Sequence, residues 1–260
     1  MAVRQTIKSE RNLLKRKDLL VEAIKVCPKD PVVNFMYGYS LERLRKYEDA
    51  LNHYLIAAEL DKNYADAFSG MGDIYMVLGN VDSAVAAYEK GLALDGKDKR
   101  TARSLELAQI KLKAQSGGAI KANDFVNVMK NSKTPAENAI GSVEGPLLRM
   151  LIIFPDESAE LSDDAKDQLS LVVGRALLSP ALADAHFEIG GHTDAGGNSK
   201  ANMEMSRGRA QAVKDYLVDN FNINPERLQV AAYGDSRPVM PNDSSANRNM
   251  NRRVEFKRLK

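Results

Sequence analysis

His186-Phe187-Glu188-Ile189-Gly190-Gly191-His192-Thr193-Asp194 decides how the second half of this chain folds. Phe187 and Ile189 fall on one face and Glu188 on the other, the period of a strand running from His186 to Gly190. Its end delivers a polar loop, Thr193-Asp194, followed by Gly196 and Gly197. From Asn202 to about Asp219 the apolar residues Ala210, Val213 and Leu217 recur at helical spacing. Asp194 therefore leaves a strand end, and Arg209, 15 residues on, leaves the helix that follows. At about 100° per residue, Asn202 and Arg209 share nearly one line of that helix, with Ser206 between them. This line differs from the one through Val213 and Leu217, so Arg209 need not be buried in the core. Gly190, Gly191, Gly196 and Gly197 are expected to let the backbone turn sharply and a ligand approach closely.

A carboxylate suits an ammonium, and a guanidinium grips a carboxylate with two parallel hydrogen bonds. The pair suits a small zwitterion, which points to binding rather than catalysis. Taken singly, Asp194 also fits the closure of an Asx-turn and Arg209 an ordinary ion pair. His192 reads as a loop-packing residue. Arg252 shares strand parity with Val254 and Phe256 and reads as a structural ion pair near the site. His192, Asp194 and Ser206 lack a nucleophile elbow or a second catalytic carboxylate, so no enzyme is expected. His53 and His186 lie far away in sequence, and neither a metal site nor a cofactor is expected.

Outward from this core, Leu147 to Phe154 is an apolar run suited to a buried strand. Ser162 then precedes Asp163 and Asp164, a hydroxyl cap with acids in the first helical turn. Ala165, Leu169, Val172 and Ala176 give that helix an apolar face. A third strand is expected in Leu228 to Tyr233 and a last in Arg252 to Leu259, where Val254 and Phe256 alternate with charged neighbours. Strands alternating with helices imply a sheet with helices packed on it.

The segments His192-Thr193-Asp194, Met205-Ser206-Arg207-Gly208-Arg209-Ala210, Tyr233-Gly234-Asp235-Ser236-Arg237-Pro238 and Asn251-Arg252-Arg253-Val254-Glu255 together resemble the OmpA-like peptidoglycan-binding domain. The resemblance covers residues 147–260. It implies non-covalent binding of the peptidoglycan stem peptide through meso-diaminopimelate. By position, Asp194 would take the ammonium and Arg209 the carboxylate of the diaminopimelate side chain. Asn202 would assist from the helix, and Thr193 would add a loop contact. Met205 stands where the family has leucine, a volume-conserving change. Pro155 stands where the family often has a polar residue near the ligand.

The first half repeats with a period of 34 residues: Gly38 returns as Gly72, Ala50 as Ala84 and Tyr54 as Tyr88. Small residues recur where two helices approach, and aromatics recur where they fill the space between. Residues 31–64 and 65–98 resemble two tetratricopeptide repeats, each a helix, a turn and a helix. Such units cannot bury their apolar faces alone, so helices are expected before them, through Leu13, Leu20, Ala23 and Ile24, and after them, over 99–116. The resemblance implies a groove for a partner protein. Its candidate residues are Asn34, Tyr37, Leu41, Phe68 and Met71, although apolar stripes at helical spacing are core by default.

The expected architecture is an all-α repeat region over 1–117, a linker over 118–145, and an α/β domain over 146–260 with a βαβαβ-type mixed sheet. The linker mixes Ser, Asn, Lys, Gly and Pro around one apolar stretch, Phe125 to Met129, expected to dock a single turn. A net charge of +2 and 44% hydrophobic residues describe a globular chain without a global attraction to nucleic acid. Basic clusters near the two ends, Arg4 to Lys17 and Arg248 to Lys260, read as solvated faces. The one cysteine, Cys27, excludes an internal disulfide and reads as a small core residue. No apolar run is long enough to span a membrane, and the start lacks the pattern of a secretory signal. The expected role is a cell-envelope anchor, periplasmic or wall-associated, holding peptidoglycan with one domain and a protein with the other. The competing expectation is a soluble, cytosolic repeat adaptor whose second domain no longer binds the wall.

Overall fold

The computed structural model describes residues 7, 9–131, 146–155 and 157–259. Among these, one compact unit ends at Gln109, and a second comprises 110–131 and 146–259.

The first unit is built from antiparallel helix pairs: α1 (Leu13–Val26), α2 (Pro31–Arg43), α3 (Tyr47–Leu60), α4 (Ala65–Val77) and α5 (Val81–Leu94). The 34-residue period corresponds to α2–α3 and α4–α5, two tetratricopeptide-type repeats. Asp30 caps α2 by accepting from Val32 and Val33 N–H, with Pro31 at the first helical position. The repeated Tyr54 and Tyr88 are fully buried, and Gly38, Gly70 and Gly72 leave space for their rings. Each tyrosine hydroxyl donates to a buried acid: Tyr54 to Glu42 Oε2 at 2.6 Å, and Tyr88 to Asp73 Oδ1 at 2.8 Å. Asp73 is also ion-paired with Arg100.

The expected groove residues are largely core. Leu41 is buried, Tyr37 and Met71 pack around it, and Phe68 packs with Ala57 and Ala67. Asn34 is buried and donates to the carbonyls of Pro28 at 2.9 Å and Asp30 at 3.0 Å, so it ties the start of α2 to the preceding turn. Cys27 is exposed rather than core: it caps the end of α1, where the chain leaves the helical pattern.

The division between the units falls inside α6 (Lys99–Gln115). Residues 122–131 are not part of a linker. They form a complete helix, α7 (Ala122–Asn131), whose Phe125, Val128 and Met129 are fully buried in the second unit. Phe125 meets Phe256 edge-on at 5.6 Å, and Arg258 donates to the Met129 carbonyl at 3.2 Å. The apolar stretch Phe125 to Met129 supplies one helical face. The flanking polar residues, which read as a linker, are its solvent side. The remaining expected linker, 132–145, lies outside the described residues.

The sheet has the order β1-β4-β2-β3, with β1 (Leu147–Met150), β2 (Phe187–His192), β3 (Leu228–Gly234) and β4 (Val254–Arg258). β4 pairs antiparallel with both β1 and β2, and β2 pairs parallel with β3. α8 (Asp163–Gln168) continues through a π-helical segment (Leu169–Gly174) into a last turn (Arg175–Leu177), with the expected Ser162 cap accepting from Ala165 N–H. The long α9 (Ser199–Phe221) is the crossover between β2 and β3, and its Ala210, Val213 and Leu217 are fully buried. α10 (Ser245–Asn251) leads into β4.

β1 ends at Met150, and β4 begins at Val254, so both are shorter than the sequence suggests. Arg252 precedes β4 and caps α10, so strand parity does not govern where its side chain points.

Candidate functional site

β2 carries its charged and polar residues to the edge of the core. His192 is buried at its last position, stacked on Tyr233 at 5.0 Å, with Nε2 3.4 Å from Glu255 Oε2. Burial holds the imidazole below its ordinary pKa despite that carboxylate. Glu255 Oε1 accepts from Arg149 Nε at 2.9 Å and from Arg253 Nε and Nη2 at 2.9 and 2.7 Å. Burial works to raise its pKa, but His192, Arg253 and Arg149 outweigh it and hold the carboxyl well below the usual range. Arg253 is thus a buried partner rather than part of a solvated basic face.

Gly191 explains how close the helix comes. A Cβ at this position would overlap the Ser206 carbonyl of α9. Gly190 lies against the Tyr233 ring. These two glycines serve packing inside β2, not the turn. Of Gly190, Gly191, Gly196 and Gly197, Gly197 alone, at φ +83°, uses the left-handed backbone that glycine favours.

The loop after β2 is held from several sides. Thr193 N–H donates to the Gly234 carbonyl at 2.9 Å, while its buried hydroxyl faces the protein. Thr193 therefore acts on the loop through its backbone. Asp194 Oδ1 accepts from Gly196 N–H at 2.8 Å, an Asx-turn closure, and Asp194 Oδ2 is ion-paired with Arg252 Nη1. Asn202 Nδ2 reaches back from α9 to the Asp194 carbonyl at 3.4 Å. Ser206 Oγ accepts from Gly234 N–H at 3.0 Å, so the same helix line pins β3's end.

Arg209 is buried, at 6% exposure, which helical spacing alone left open. The segment after β1 covers it. Its Nε donates to the Ser158 carbonyl at 3.0 Å, and its guanidinium lies 5.0 Å from the Phe154 ring centre. A cavity of about 260 Å³ opens beside it, lined by Leu151, Ile152, Ile153, Phe154, Arg209, Asn249 and Arg252. Its apolar wall comes from the chain just after β1, and its polar lining among the described residues is Arg209, Asn249 and Arg252.

The structure thus places Asp194 and Asn202 in contact and sets Arg209 in the cavity wall, with Arg252 bridging cavity and carboxylate. Asn249 was not singled out in the sequence. Its signal is its place three residues before Arg252, on the same short helix, where its Oδ1 accepts from Arg252 Nη2. Among the described residues, no three His, Cys, Asp or Glu side chains gather as metal ligands would.

Residues 153–252, which contain the loop, α9 and both lining arginines, match the OmpA family. Residues 153–252 form an OmpA-family domain. Its relatives include outer membrane porin F of Pseudomonas aeruginosa, 43% identical over 65 residues, which are 25% of this chain and 19% of that protein. The peptidoglycan-associated lipoprotein of the same species is 40% identical over 68 residues, 26% of this chain and 40% of that one. Motility protein B of Helicobacter pylori is 35% identical over 134 residues, 47% of this chain and 51% of that one. The chain spans from 19% to 51% of the length of these relatives. No helix among the described residues is long and apolar enough to cross a membrane.

Proposed function

We propose that the OmpA-family domain holds peptidoglycan without covalent chemistry, by binding the zwitterionic end of a diaminopimelate side chain. Asp194 takes the ammonium and Arg209 the carboxylate. Asn202 fixes the loop that presents Asp194, and Thr193 anchors that loop to β3. The observation that carries this reading is a buried arginine in the wall of a cavity whose rim arginine contacts Asp194. The likeness to a relative named for its association with peptidoglycan supports it. The repeats supply a surface for a protein partner, so that the chain works as a cell-envelope anchor.

Charge-assisted hydrogen bonds contribute roughly 1.5–3 kcal/mol each. Three or four of them, less the cost of association, give roughly micromolar to millimolar affinity for one stem peptide. A sacculus offers many such peptides, and multivalent contact makes the attachment firm.

Sedimentation with purified diaminopimelate-type sacculi tests the assignment. The protein is expected in the pellet, and Asp194→Ala and Arg209→Glu are expected in the supernatant while retaining the native circular dichroism spectrum. Unchanged pelleting of both folded variants removes the site assignment. A wild-type protein that stays in the supernatant favours a repeat adaptor that does not bind the wall.

A further inference from the structure

Two guanidiniums line the cavity, and the zwitterion of the proposed function employs only one of them. Arg209 is held in place by the Ser158 carbonyl and the Phe154 ring. Arg252 differs in its setting. Its side chain is 36% exposed, and it sits at the end of α10 with Nη1 on Asp194 and Nη2 on Asn249. A guanidinium has five N–H groups in a planar fork. Two of them fix its orientation, and the side chain lines the cavity. Arg252 is thus oriented by two neighbours, which lowers the entropy lost when it meets an anion.

Resting on the wall-binding reading, we propose that Arg252 forms a second carboxylate subsite, so that the cavity recognises a stem peptide through two carboxylates and one ammonium. The second carboxylate is the α-carboxylate of the isoglutamyl residue that precedes diaminopimelate. Because that residue is linked through its γ-carbonyl, its α-carboxylate stays free along the peptide. The backbone carboxylate of diaminopimelate is lost when a D-alanine follows, and the terminal one is lost when that alanine is cross-linked. The isoglutamyl carboxylate is therefore the anion that accompanies the zwitterion whatever the length and cross-linking of the peptide. Arg252 contacts Asp194, so the ammonium and the second carboxylate are read by adjacent, mutually oriented groups.

Calorimetric titration of the whole chain with L-Ala-γ-D-Glu-meso-diaminopimelyl-D-Ala, and with the same peptide carrying D-isoglutamine, separates the two ideas. The unmodified protein is expected to bind the acid about tenfold more tightly than the amide, the scale of one charge-assisted hydrogen bond. Arg252→Gln is expected to bring that ratio to about one while still binding both peptides. Equal binding of acid and amide by the unmodified protein overturns the second subsite and leaves the zwitterion reading standing. Binding of neither peptide overturns both. A preference for the acid that survives in Arg252→Gln assigns the subsite elsewhere and also overturns the proposal.

Discussion

Arg252 Nη1 donates to Asp194 Oδ2, tying the end of α10 to the loop after β2 across 58 residues of sequence. The contact sets the charge of the loop. Burial pushes the Asp194 pKa up, but the Gly196 N–H, Arg252 and Arg248 outweigh it, and the net shift is downward. Asp194 therefore stays anionic through the neutral and mildly acid range in which a primary ammonium is charged. The same geometry links the loop's stability to pH in one direction. A depressed carboxyl pKa contributes stability above the unfolded-state value and loses it as pH falls through the folded value.

For binding, this means a flat response from about pH 8 to pH 5 and a loss only in stronger acid. In Arg252→Gln the carboxyl loses a cationic neighbour, so the acid limb moves to higher pH. Titrating a diaminopimelate peptide at several pH values checks both statements. An acid limb that does not move in the variant shows that Arg252 does not control the charge of Asp194.

Gly191→Ala places a methyl group where the Ser206 carbonyl of α9 already lies. The obstacle is helix backbone, not a flexible side-chain tip, so α9 must shift away from β2. Overpacking of this kind costs about 1–3 kcal/mol and more when the backbone resists. Arg209 and Asn202 ride on the displaced helix. Urea denaturation should show the loss of stability, and peptide affinity should fall with it. Retained stability and affinity would contradict this close packing of α9 on β2.

Glu42, in the repeat region, responds to pH with the opposite sign. Burial and the nearby Asp73 raise its carboxyl from 4.5 to about 7, against the pull of the Tyr54 hydrogen bond, Arg100 and Arg43. The folded state then holds a proton that the unfolded chain releases. The stabilisation is complete below about pH 4.5 and is lost as pH rises through about 7. A shift of this size corresponds to about 3 kcal/mol. The denaturation midpoint of the repeats should fall between pH 5 and pH 8, and Glu42→Gln should flatten that slope.

Phe125→Ala should destabilise the OmpA-family domain rather than the repeats. Phe125 is fully buried among Phe187 and Phe256, and truncating such a ring costs about 3–5 kcal/mol. A fragment of residues 110–260 should accordingly unfold at higher urea than one of residues 146–260. Equal midpoints for the two fragments would place α7 outside the domain's cooperative core.

Local pattern carried much of this protein. The alternation Phe187-Glu188-Ile189 marks a strand because side chains in extended backbone point to opposite faces. Ser162 before two acids marks a helix start because unpaired N–H groups need an acceptor there, and the structure puts the hydroxyl on Ala165 N–H. The 34-residue recurrence of Gly38, Ala50 and Tyr54 marks stacked helix pairs, since a glycine beside each buried tyrosine is a packing requirement of the pair. The contact between Asp194 and Asn202 was legible because loop and helix follow each other directly along the chain.

What local pattern omits is whatever depends on segments distant in sequence. Arg209 is buried because the chain after β1 folds over it, and nothing in α9 encodes that cover. Gly190 and Gly191 read as turn residues, yet they sit inside β2, where β3 and α9 press against them. Phe125 to Met129 read as a short docked turn because a brief apolar run has no partner until the sheet that buries it exists. Arg252 meets Asp194 only because β4 is inserted between β1 and β2, an order that follows from pairing across the whole domain. Backbone propensity and side-chain period are properties of neighbours along the chain. Burial, charge pairing and the shape of the cavity are properties of neighbours in space, and only the tertiary structure decides those.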